Sequence, residues 1–307
     1  MRIGVMGSGG VGGFFGLRLA QAGLDVTFIA RGAHLAAMRE HGLKIEHDEL
    51  GDTILTEVKA TDDPSTVGVV DVVLFAVKLW DTEEAARLIA PMVGPETGIL
   101  SLQNGVIKDD TLRGIFPAEA VMGGVGYVAT SIARPGVIGQ TGSLQRIVIG
   151  EYDGKPSDRA RTLVDAFQRT GVSSELSPDI RRALWEKYVF LVGLSAMTTL
   201  TRLPIGPIRS NPQTRDFLHQ VMDEAVAVGR AHGVALPEDF AEERMTFVDG
   251  LAETMTSSMH HDLEHGNRLE VDWLSGGVVK LGAEVGIPTP ANAAACAILA
   301  PHAAGSG

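Results

Sequence analysis

The sequence predicts an α/β fold in which an N-terminal doubly wound sheet is followed by an all-helical C-terminal domain. Three observations support this prediction. The chain opens with an apolar strand that runs through a glycine-rich turn into a helical pattern, and short strand-like runs recur as far as Gly150. After Ser157, apolar residues recur at steps of three and four, which is typical of amphipathic helices. We place the two domains at residues 1–170 and 171–307.

Composition narrows the classes of function. The chain has 307 residues, of which 45% are hydrophobic, and this is enough for two domains with sizeable cores. Its formal net charge of -12 argues against a sequence-independent grip on nucleic acid or on an anionic membrane. No run is long and apolar enough to span a bilayer. The chain enters a strand at once, without the pattern of a signal peptide, so we expect a cytoplasmic protein.

Cysteine and histidine usage argues against a metal site. Cys296 is the only cysteine, which excludes an internal disulfide and a cysteine-rich metal site. The 9 histidines include the adjacent pair His260 and His261, but no zinc-binding spacing such as HExxH occurs. We therefore expect no metal and interpret the pair as exposed helix residues, and the sequence leaves open whether the pair has any role.

The glycine-rich turn near the start of the chain points to a dinucleotide. Gly7, Gly9 and Gly12 stand at the spacing G-x-G-x-x-G between the first strand and the first helical pattern. The first glycine permits a tight turn, the second lets the backbone approach a pyrophosphate, and the third lets the helix pack close to the strand. The helix N-terminus then offers N–H groups and a positive dipole to the phosphates. The alternative is a glycine-rich turn that binds nothing.

The residue that follows the second strand indicates which cofactor is preferred. In NAD-binding versions of this fold, an acidic residue at that point accepts hydrogen bonds from the ribose 2′-hydroxyl. Here the strand is followed by Ala30, Arg31 and Gly32. A guanidinium suits a 2′-phosphate, with which it can form paired, charged hydrogen bonds. Arg31 therefore predicts NADP(H), with a solvated surface arginine as the alternative.

Two further strand patterns end in polar residues. The apolar run 71–76 leads to Lys78, and the run 99–102 leads to Asn104. In a doubly wound sheet, ligands lie beyond the carboxyl ends of the strands, so both side chains are candidates to face the nucleotide. An Asn-Gly pair is also a common turn, which leaves a purely structural alternative for Asn104.

A lysine interrupts the long, mostly apolar helical pattern over residues 179–202. A redox enzyme that reduces a carbonyl with NADPH needs a proton donor beside that carbonyl. Burial lowers the pKa of a lysine toward neutrality, which suits a general acid, so Lys187 is the candidate. The alternative is a lysine whose stem lies along the helix and carries the ammonium to the surface.

Taken together, these residues resemble the ketopantoate reductases, the NADP-dependent 2-dehydropantoate 2-reductases. The likeness covers nearly the whole chain and rests on "GSGGVGG", Arg31, "VK" at Lys78, "QNG" at Asn104, "LWEK" at Lys187, "SSM" at Ser258 and "LEVDWLSGG" at Glu270. It implies a Rossmann domain, an all-helical domain and a site in the cleft between them. It also implies reduction of 2-dehydropantoate to (R)-pantoate in pantothenate biosynthesis, with Arg31 and Lys78 holding the 2′-phosphate.

On the substrate side, the resemblance implies four roles. Lys187 would be the general acid, Glu270 would fix the substrate hydroxyl, and Ser258 would bind the carboxylate. Asn104 would lie beside both the nicotinamide and the substrate. Hydride addition builds negative charge on the carbonyl oxygen, which an ammonium stabilises and then protonates. A carboxylate near Lys187 would keep that lysine charged.

The chain also departs from the family pattern on the substrate side. Family members carry an asparagine one helical turn after the catalytic lysine, where this chain has Leu191. Two further family asparagines are replaced by Ser195 and Ile205. Because lost hydrogen bonds change specificity, the chain could reduce a more apolar 2-oxo acid or ketone, and Leu191 would line its pocket. The sequence therefore leaves the true substrate open.

Three interpretations remain. The first is an NADPH-dependent reductase of a 2-oxo acid, with 2-dehydropantoate as the leading substrate. The second is another dehydrogenase of related architecture, such as an opine-type or hydroxy-acid enzyme. The third is a non-catalytic NADP(H)-binding sensor, which the presence of both Lys187 and Glu270 disfavours. We expect a small-molecule substrate, no nucleic-acid or membrane partner, and a possible homodimer through the helical domain, whose oligomeric state the sequence leaves open.

Overall fold

The computed structural model describes residues 1–47 and 49–306. By its internal contacts the chain divides into a sheet unit and a helical unit. The sheet unit comprises Met1–Gln103 and Lys108–Ala183, and the helical unit comprises Asn104–Ile107 and Leu184–Gly307. The helical unit is therefore made of two separate parts of the chain, a four-residue segment and the C-terminal region. None of the helices in the described ranges combines the length and the apolar character that crossing a membrane requires.

The sheet unit is built on one mixed sheet. Its strands are β1 (Arg2–Met6), β2 (Asp25–Ile29), β3 (Leu43–Glu46), β4 (Thr53–Leu55), β5 (Lys59–Thr61), β6 (Val72–Phe75), β7 (Gly98–Ser101), β8 (Val121–Arg134), β9 (Val137–Gly150) and β10 (Ser173–Leu176). The spatial order is β4-β3-β9-β8-β7-β6-β1-β2-β5, and β10 pairs with β9. The central strands β7, β6, β1 and β2 run parallel to their neighbours. This parallel centre requires helical crossovers, which the intervening helices supply.

Helices cover this sheet. They are α1 (Gly10–Gln21), α2 (Gly32–His41), α3 (Thr82–Ile89), α4 (Lys108–Arg113) and α5 (Asp158–Arg169). In α1 the buried side chains include Phe14, Phe15 and Leu17, which join the buried residues of the sheet in one core. Apolar strands buried on both faces are typical of a parallel sheet, and β6 and β7 are buried along their whole length.

Two features of the sheet differ from what the sequence pattern suggested. The short strand-like runs between residues 121 and 150 form one long hairpin, because β8 and β9, of 14 residues each, pair antiparallel from Gly123 to Gly150. Strand β10 lies in the region that the sequence pattern assigned to helices, and it extends the sheet beyond residue 170. Its residues, Ser173–Leu176, are polar except for the last, so they give little periodic signal.

The helical unit contains α6 (Ile180–Thr201), α7 (Ile205–Ser210), α8 (Pro212–Ala231), α9 (Phe240–Asp249), α10 (Ser258–Glu264), α11 (Ser275–Val285) and α12 (Pro290–Leu299). The division between the units falls within α6, between Ala183 and Leu184. From Leu184 onward every residue of α6 is buried or partly buried, which explains why its sequence is mostly apolar. Polar residues on this helix therefore stand out, and Lys187 is one of them.

Candidate active site

The glycine-rich turn is tightly packed at Gly7 and Gly12 and open at Gly9. Gly7 has a φ of 90°, and a Cβ there would lie 2.7 Å from the main-chain nitrogen of Val77. A Cβ on Gly12 would lie 2.1 Å from the Gly7 carbonyl oxygen. A Cβ on Gly9, in contrast, would meet nothing within 4 Å. Two glycines are therefore required by packing, whereas Gly9 leaves open space in front of the turn.

That open space lies at the N-terminus of α1. The first N–H groups of an α-helix have no partner within the helix, and the N-cap residue Gly9 supplies no side chain to cap them. Together with the helix dipole, this makes the end of α1 suited to a phosphate. The turn therefore fits a dinucleotide's pyrophosphate.

The two cations predicted to hold a 2′-phosphate follow the neighbouring strands. Because β1 pairs in parallel with both β2 and β6, the residues after these strands emerge at the same edge of the sheet. Arg31 is the exposed N-cap residue of α2, and within the described part of the chain its guanidinium has no partner. Lys78 is exposed after β6, with its ammonium 5.6 Å from the centre of the Trp80 ring.

His34 forms hydrogen bonds at this edge of the sheet, and it was not predicted from the sequence. Its Nδ1 accepts a hydrogen bond from the Gly136 N–H at 3.1 Å, so the proton lies on Nε2, 3.0 Å from the Ser8 carbonyl oxygen. Partial burial lowers the pKa of His34, and the Ser8 carbonyl only partly opposes this. The imidazole thus ties the glycine turn to the β8–β9 hairpin in its neutral form. Its position three residues after Arg31 was the only available sequence signal.

In the helical unit, the structure brings two of the predicted residues together. The Lys187 Nζ donates a hydrogen bond to the Asn104 Oδ1 at 3.1 Å. Both side chains are partly exposed, on α6 and on the segment Asn104–Ile107 respectively. The lysine ammonium is therefore held at a defined place on α6 by an acceptor from the segment Asn104–Ile107.

Glu270 begins a turn that is bound to α6. It is 5% exposed, and its carbonyl oxygen accepts from the N–H groups of Trp273 and Leu274 in a turn that leads into α11. That turn is bound to the residue after the lysine, because the Tyr188 Oη donates to the carbonyl oxygens of Leu274 at 2.6 Å and Trp273 at 3.2 Å. Burial raises the pKa of Tyr188, so its hydroxyl keeps the proton it donates. Tyr188 is a second residue that the sequence analysis missed.

Ser258 is exposed at the first position of α10. Its neighbour Ser257 is buried, caps the helix by accepting from the His260 N–H, and lies 2.8 Å from the Thr198 Oγ1 on α6. Thr198 follows Lys187 by about three helical turns, so Ser258 is anchored farther along the same helix than Asn104.

The three departures from the family pattern are not equivalent. Leu191 is partly exposed, one helical turn after Lys187. Ser195 and Ile205 are both fully buried. The hydroxyl of Ser195 has no hydrogen-bond partner among the described residues. Of the three, only Leu191 is partly exposed.

The expectation that both histidines of the adjacent pair are exposed holds for one of them. His261 is largely exposed, but the interpretation is wrong for His260, which is 3% exposed with its Nε2 3.1 Å from the Glu264 Oε1. Adjacent residues on a helix point about 100° apart, so both cannot face solvent equally. Among the residues described, no group of three or more metal-binding side chains is placed to hold an ion.

Models of two protein domains match the chain. The one described as "Ketopantoate reductase PanE/ApbA" matches residues 3–154, and the one described as its C-terminal domain matches residues 179–303. The chain belongs to the ketopantoate reductase family. As members of this family are oxidoreductases that act on CH–OH groups, this reductase is an enzyme of that class. Its nucleotide-binding fold implies a nicotinamide cofactor.

Relatives of this reductase match it along nearly their whole length. A 2-dehydropantoate 2-reductase of Halobacterium salinarum is 32% identical, over 94% of this chain and 95% of the relative. The uncharacterized oxidoreductase YkpB of Bacillus subtilis is 30% identical, over 94% of this chain and 95% of its own. The crystal structure of a PanE/ApbA family ketopantoate reductase from Ralstonia eutropha has a TM-score of 0.89 and 36% identity, and the match covers 99% of this chain and 98% of that one. The predicted fold class is confirmed.

Proposed function

We propose that this reductase uses NADPH to reduce a 2-oxo acid to a 2-hydroxy acid, with 2-dehydropantoate, reduced to (R)-pantoate, as its leading substrate. The observation that carries the proposal is the hydrogen bond from Lys187 to Asn104. It holds an ammonium in a partly exposed position on α6, and the next residue of that helix, Tyr188, is bound to the turn that follows Glu270. Family membership supplies the reaction class.

In the proposed reaction, bound NADPH supplies the hydride to the carbonyl carbon. The Lys187 ammonium donates a hydrogen bond to the carbonyl oxygen, stabilises the charge that develops there, and transfers its proton as the C–O⁻ becomes a hydroxyl. Lysine then regains a proton from solvent, so one hydride and one proton are added to the substrate. Glu270 would accept the hydrogen bond of a substrate hydroxyl, and Ser258 would donate one to the carboxylate.

The choice of NADPH rests on charge at the edge of the sheet. Arg31 and Lys78 are both exposed there and would pair with a 2′-phosphate. The open space at Gly9 would accommodate the pyrophosphate that both nicotinamide cofactors share. The cations, rather than the glycine turn, would therefore discriminate between NADPH and NADH.

One observation favours a second candidate substrate. Leu191 presents an apolar, partly exposed surface one turn after the proposed acid, where an amide would otherwise hydrogen-bond a polar substrate. We therefore propose that 2-dehydropantoate binds with a high KM. A 2-oxo acid with an apolar side chain and no distal hydroxyl would then be handled better.

The test is an NADPH-oxidation screen over 2-oxo acids, including 2-dehydropantoate, with product identification. Lys187→Met should lower kcat by about a hundredfold or more, because a general acid contributes two to four orders of magnitude. Lys280→Met is the matched control, since Lys280 is an exposed lysine on α11. It should leave kcat unchanged.

Three outcomes would contradict the proposal. Tight NADPH binding without turnover of any 2-oxo acid would favour a sensor. Formation of an amino-acid conjugate, when an amino acid is supplied with the 2-oxo acid, would indicate an opine-type enzyme. Full activity of Lys187→Met would remove the lysine from its role, even if a 2-oxo acid were reduced.

A further inference from the structure

A buried ion pair in the sheet unit lies outside the residues assigned above. The side chains of Lys108 and Asp109 are 0% and 1% exposed. The Lys108 Nζ lies 2.9 Å from both carboxylate oxygens of Asp109 and donates to the Ser101 carbonyl oxygen, also at 2.9 Å. The Tyr152 Oη donates to the Asp109 Oδ2 at 2.6 Å. Burial lowers the pKa of Lys108, and the charge of Asp109 opposes this, so the ammonium depends on its partner.

Such a cluster is not an efficient way to stabilise a fold. Removing two charges from water costs much of what their attraction returns, and apolar residues of similar volume often serve as well. We therefore ask which parts of the chain the pair holds in place, rather than how much it contributes to stability.

Its hydrogen bond to Ser101 closes a loop. Ser101 is the last residue of β7 and Lys108 is the first residue of α4, so the bond joins the two stems of the segment 102–107. One stem has a second tie, because the Gln103 Nε2 donates to the Thr82 Oγ1 at 2.8 Å and its Oε1 accepts from the Ser101 Oγ at 3.2 Å. Both ends of the segment are thus held by buried polar groups.

The segment between these ties carries Asn104. Residues Asn104–Ile107 belong by their contacts to the helical unit, where Val106 packs against the helical core and Asn104 accepts from Lys187. A shift of the stems would move Asn104 relative to the ammonium that it holds. Displacements of about 1 Å at a reacting group can cost as much as a hundredfold in rate.

We propose that Lys108 and Asp109 are positioning residues that set Asn104 against Lys187. They touch neither cofactor nor substrate and act through the loop stems. The catalytic part of this inference rests on the proposed function, whereas the structural part, the control of Lys187 by the pair, can be measured without turnover. The two parts can therefore fail separately.

The first test measures Lys187 directly. The full-length protein is treated with acetic anhydride at one fixed pH, and the rate of acetylation of Lys187 is followed by peptide mass spectrometry. Loss of the Asn104 acceptor removes one hydrogen bond that stabilises the ammonium form, so Asn104→Ala should raise this rate by roughly tenfold. Lys108→Met combined with Asp109→Leu, which removes both charges and keeps the volume, should raise it by a similar factor. Asp110→Asn, a change at the neighbouring exposed carboxylate, should not raise it.

The second test asks whether the two effects share one route. With Asn104→Ala already present, the Lys108→Met and Asp109→Leu changes should add nothing to the acetylation rate. If the two sets of changes raised the acetylation rate of Lys187 by factors that multiply, the proposal would be overturned. An unchanged acetylation rate in a folded Lys108→Met and Asp109→Leu variant would also overturn it, and so would an unchanged rate in Asn104→Ala. If the paired variant does not fold, Tyr152→Phe, which loosens Asp109 alone, should still raise the rate by roughly twofold, and no change would overturn the proposal.

Kinetics separate this inference from the proposed function. In the Lys108→Met and Asp109→Leu variant, kcat for the 2-oxo acid should fall by roughly tenfold or more while the Kd of NADPH stays within about twofold. A wild type that reduces no 2-oxo acid would refute the proposed function and leave the acetylation results to decide on the positioning. An unchanged kcat with an altered acetylation rate would refute the catalytic part of the inference alone.

Discussion

The candidate sites of the sheet unit and the helical unit are built differently, the first from backbone and the second from side chains. At the edge of the sheet, the proposed recognition of the cofactor would depend on side chains that are missing, since Gly7 and Gly12 leave no room for a Cβ and Gly9 has open space. In the helical unit, the proposed recognition of the substrate would depend on side chains that are present and held, as Lys187 is held by Asn104 and the turn after Glu270 by Tyr188. A backbone site needs only local spacing, whereas a side-chain site needs residues brought from distant parts of the chain.

The largest effect expected on the sheet side comes from a pair of glycine substitutions. Gly12→Ala would place a Cβ 2.1 Å from the Gly7 carbonyl oxygen, which forces the backbone to move. We expect a loss of about 3 kcal/mol in the free energy of unfolding, measured by chemical denaturation. Gly9→Ala has open space and an extended φ of -73°, so the free energy of unfolding should change by less than about 0.5 kcal/mol.

The same pair separates packing from binding. The Cβ of Gly9→Ala projects into the space proposed for the pyrophosphate, so the Kd of NADPH should rise by about tenfold or more. Fluorescence titration measures it. A Gly9→Ala protein that binds NADPH as the wild type does would show that the pyrophosphate lies elsewhere.

Cofactor preference should depend on Arg31. We expect the wild type to bind NADPH more tightly than NADH by at least about tenfold, or ~1.4 kcal/mol, because the guanidinium pairs with the 2′-phosphate. Arg31→Ala should reduce that ratio and leave the Kd of NADH almost unchanged. Arg39→Ala, on the same helix α2, is the control. Equal affinities for the two cofactors in the wild type would refute the assignment.

On the helical side, the expected effect of Leu191 is smaller. Leu191→Asn restores an amide one turn after Lys187, so preference should shift toward 2-dehydropantoate by about 1 kcal/mol if one hydrogen bond is gained. The measurement is the ratio of kcat/KM for 2-dehydropantoate and for an apolar 2-oxo acid. A wild type already saturated by micromolar 2-dehydropantoate and indifferent to this change would contradict the pocket assignment. Leu200→Asn, at a partly buried leucine farther along α6, serves as a comparison for simple loss of apolar packing.

The smallest expected effect is a dependence of stability on pH through His34. Because burial lowers its pKa below the usual 6.5, the folded protein binds this proton less readily than the unfolded chain does. The contribution of His34 to stability is therefore complete above pH 6.5 and is lost as the pH falls toward and below its folded pKa. Tm measured between pH 7 and pH 5 should fall less steeply in His34→Gln than in the wild type. His41→Gln, an exposed change on the same helix, should leave the slope unaltered.

The sequence predicts the two units unequally. The spacing of Gly7, Gly9 and Gly12 and the long apolar stretch around Lys187 identify β1, α1 and α6, because their signals are local and periodic. Strand β10 is mostly polar and short, so only its pairing with β9 reveals it. The length of the β8–β9 hairpin likewise comes from cross-strand pairing.

The candidate site shows the same limit. Glu270 and Ser258 could be named only through resemblance to a family, because nothing in their own spacing links them to Lys187. Tyr188 and His34 were missed because a buried tyrosine beside an apolar run and a histidine on a surface helix have ordinary structural explanations. Ion pairs such as Lys108 with Asp109 look like a solvated charge run until burial is known.

The brief excursion of Asn104–Ile107 into the helical unit matters for the construction of chimeras. Joining residues 1–183 of this chain to the helical half of a relative would take Lys187 from one parent and its partner Asn104 from the other. Such a hybrid would combine the lysine of one parent with the partner loop of the other, so the contacts that hold the pair would differ from those in this chain. An exchange that transfers residues 104–107 together with 184–307 keeps the pair from one parent, and it should yield active hybrids where the simple junction does not.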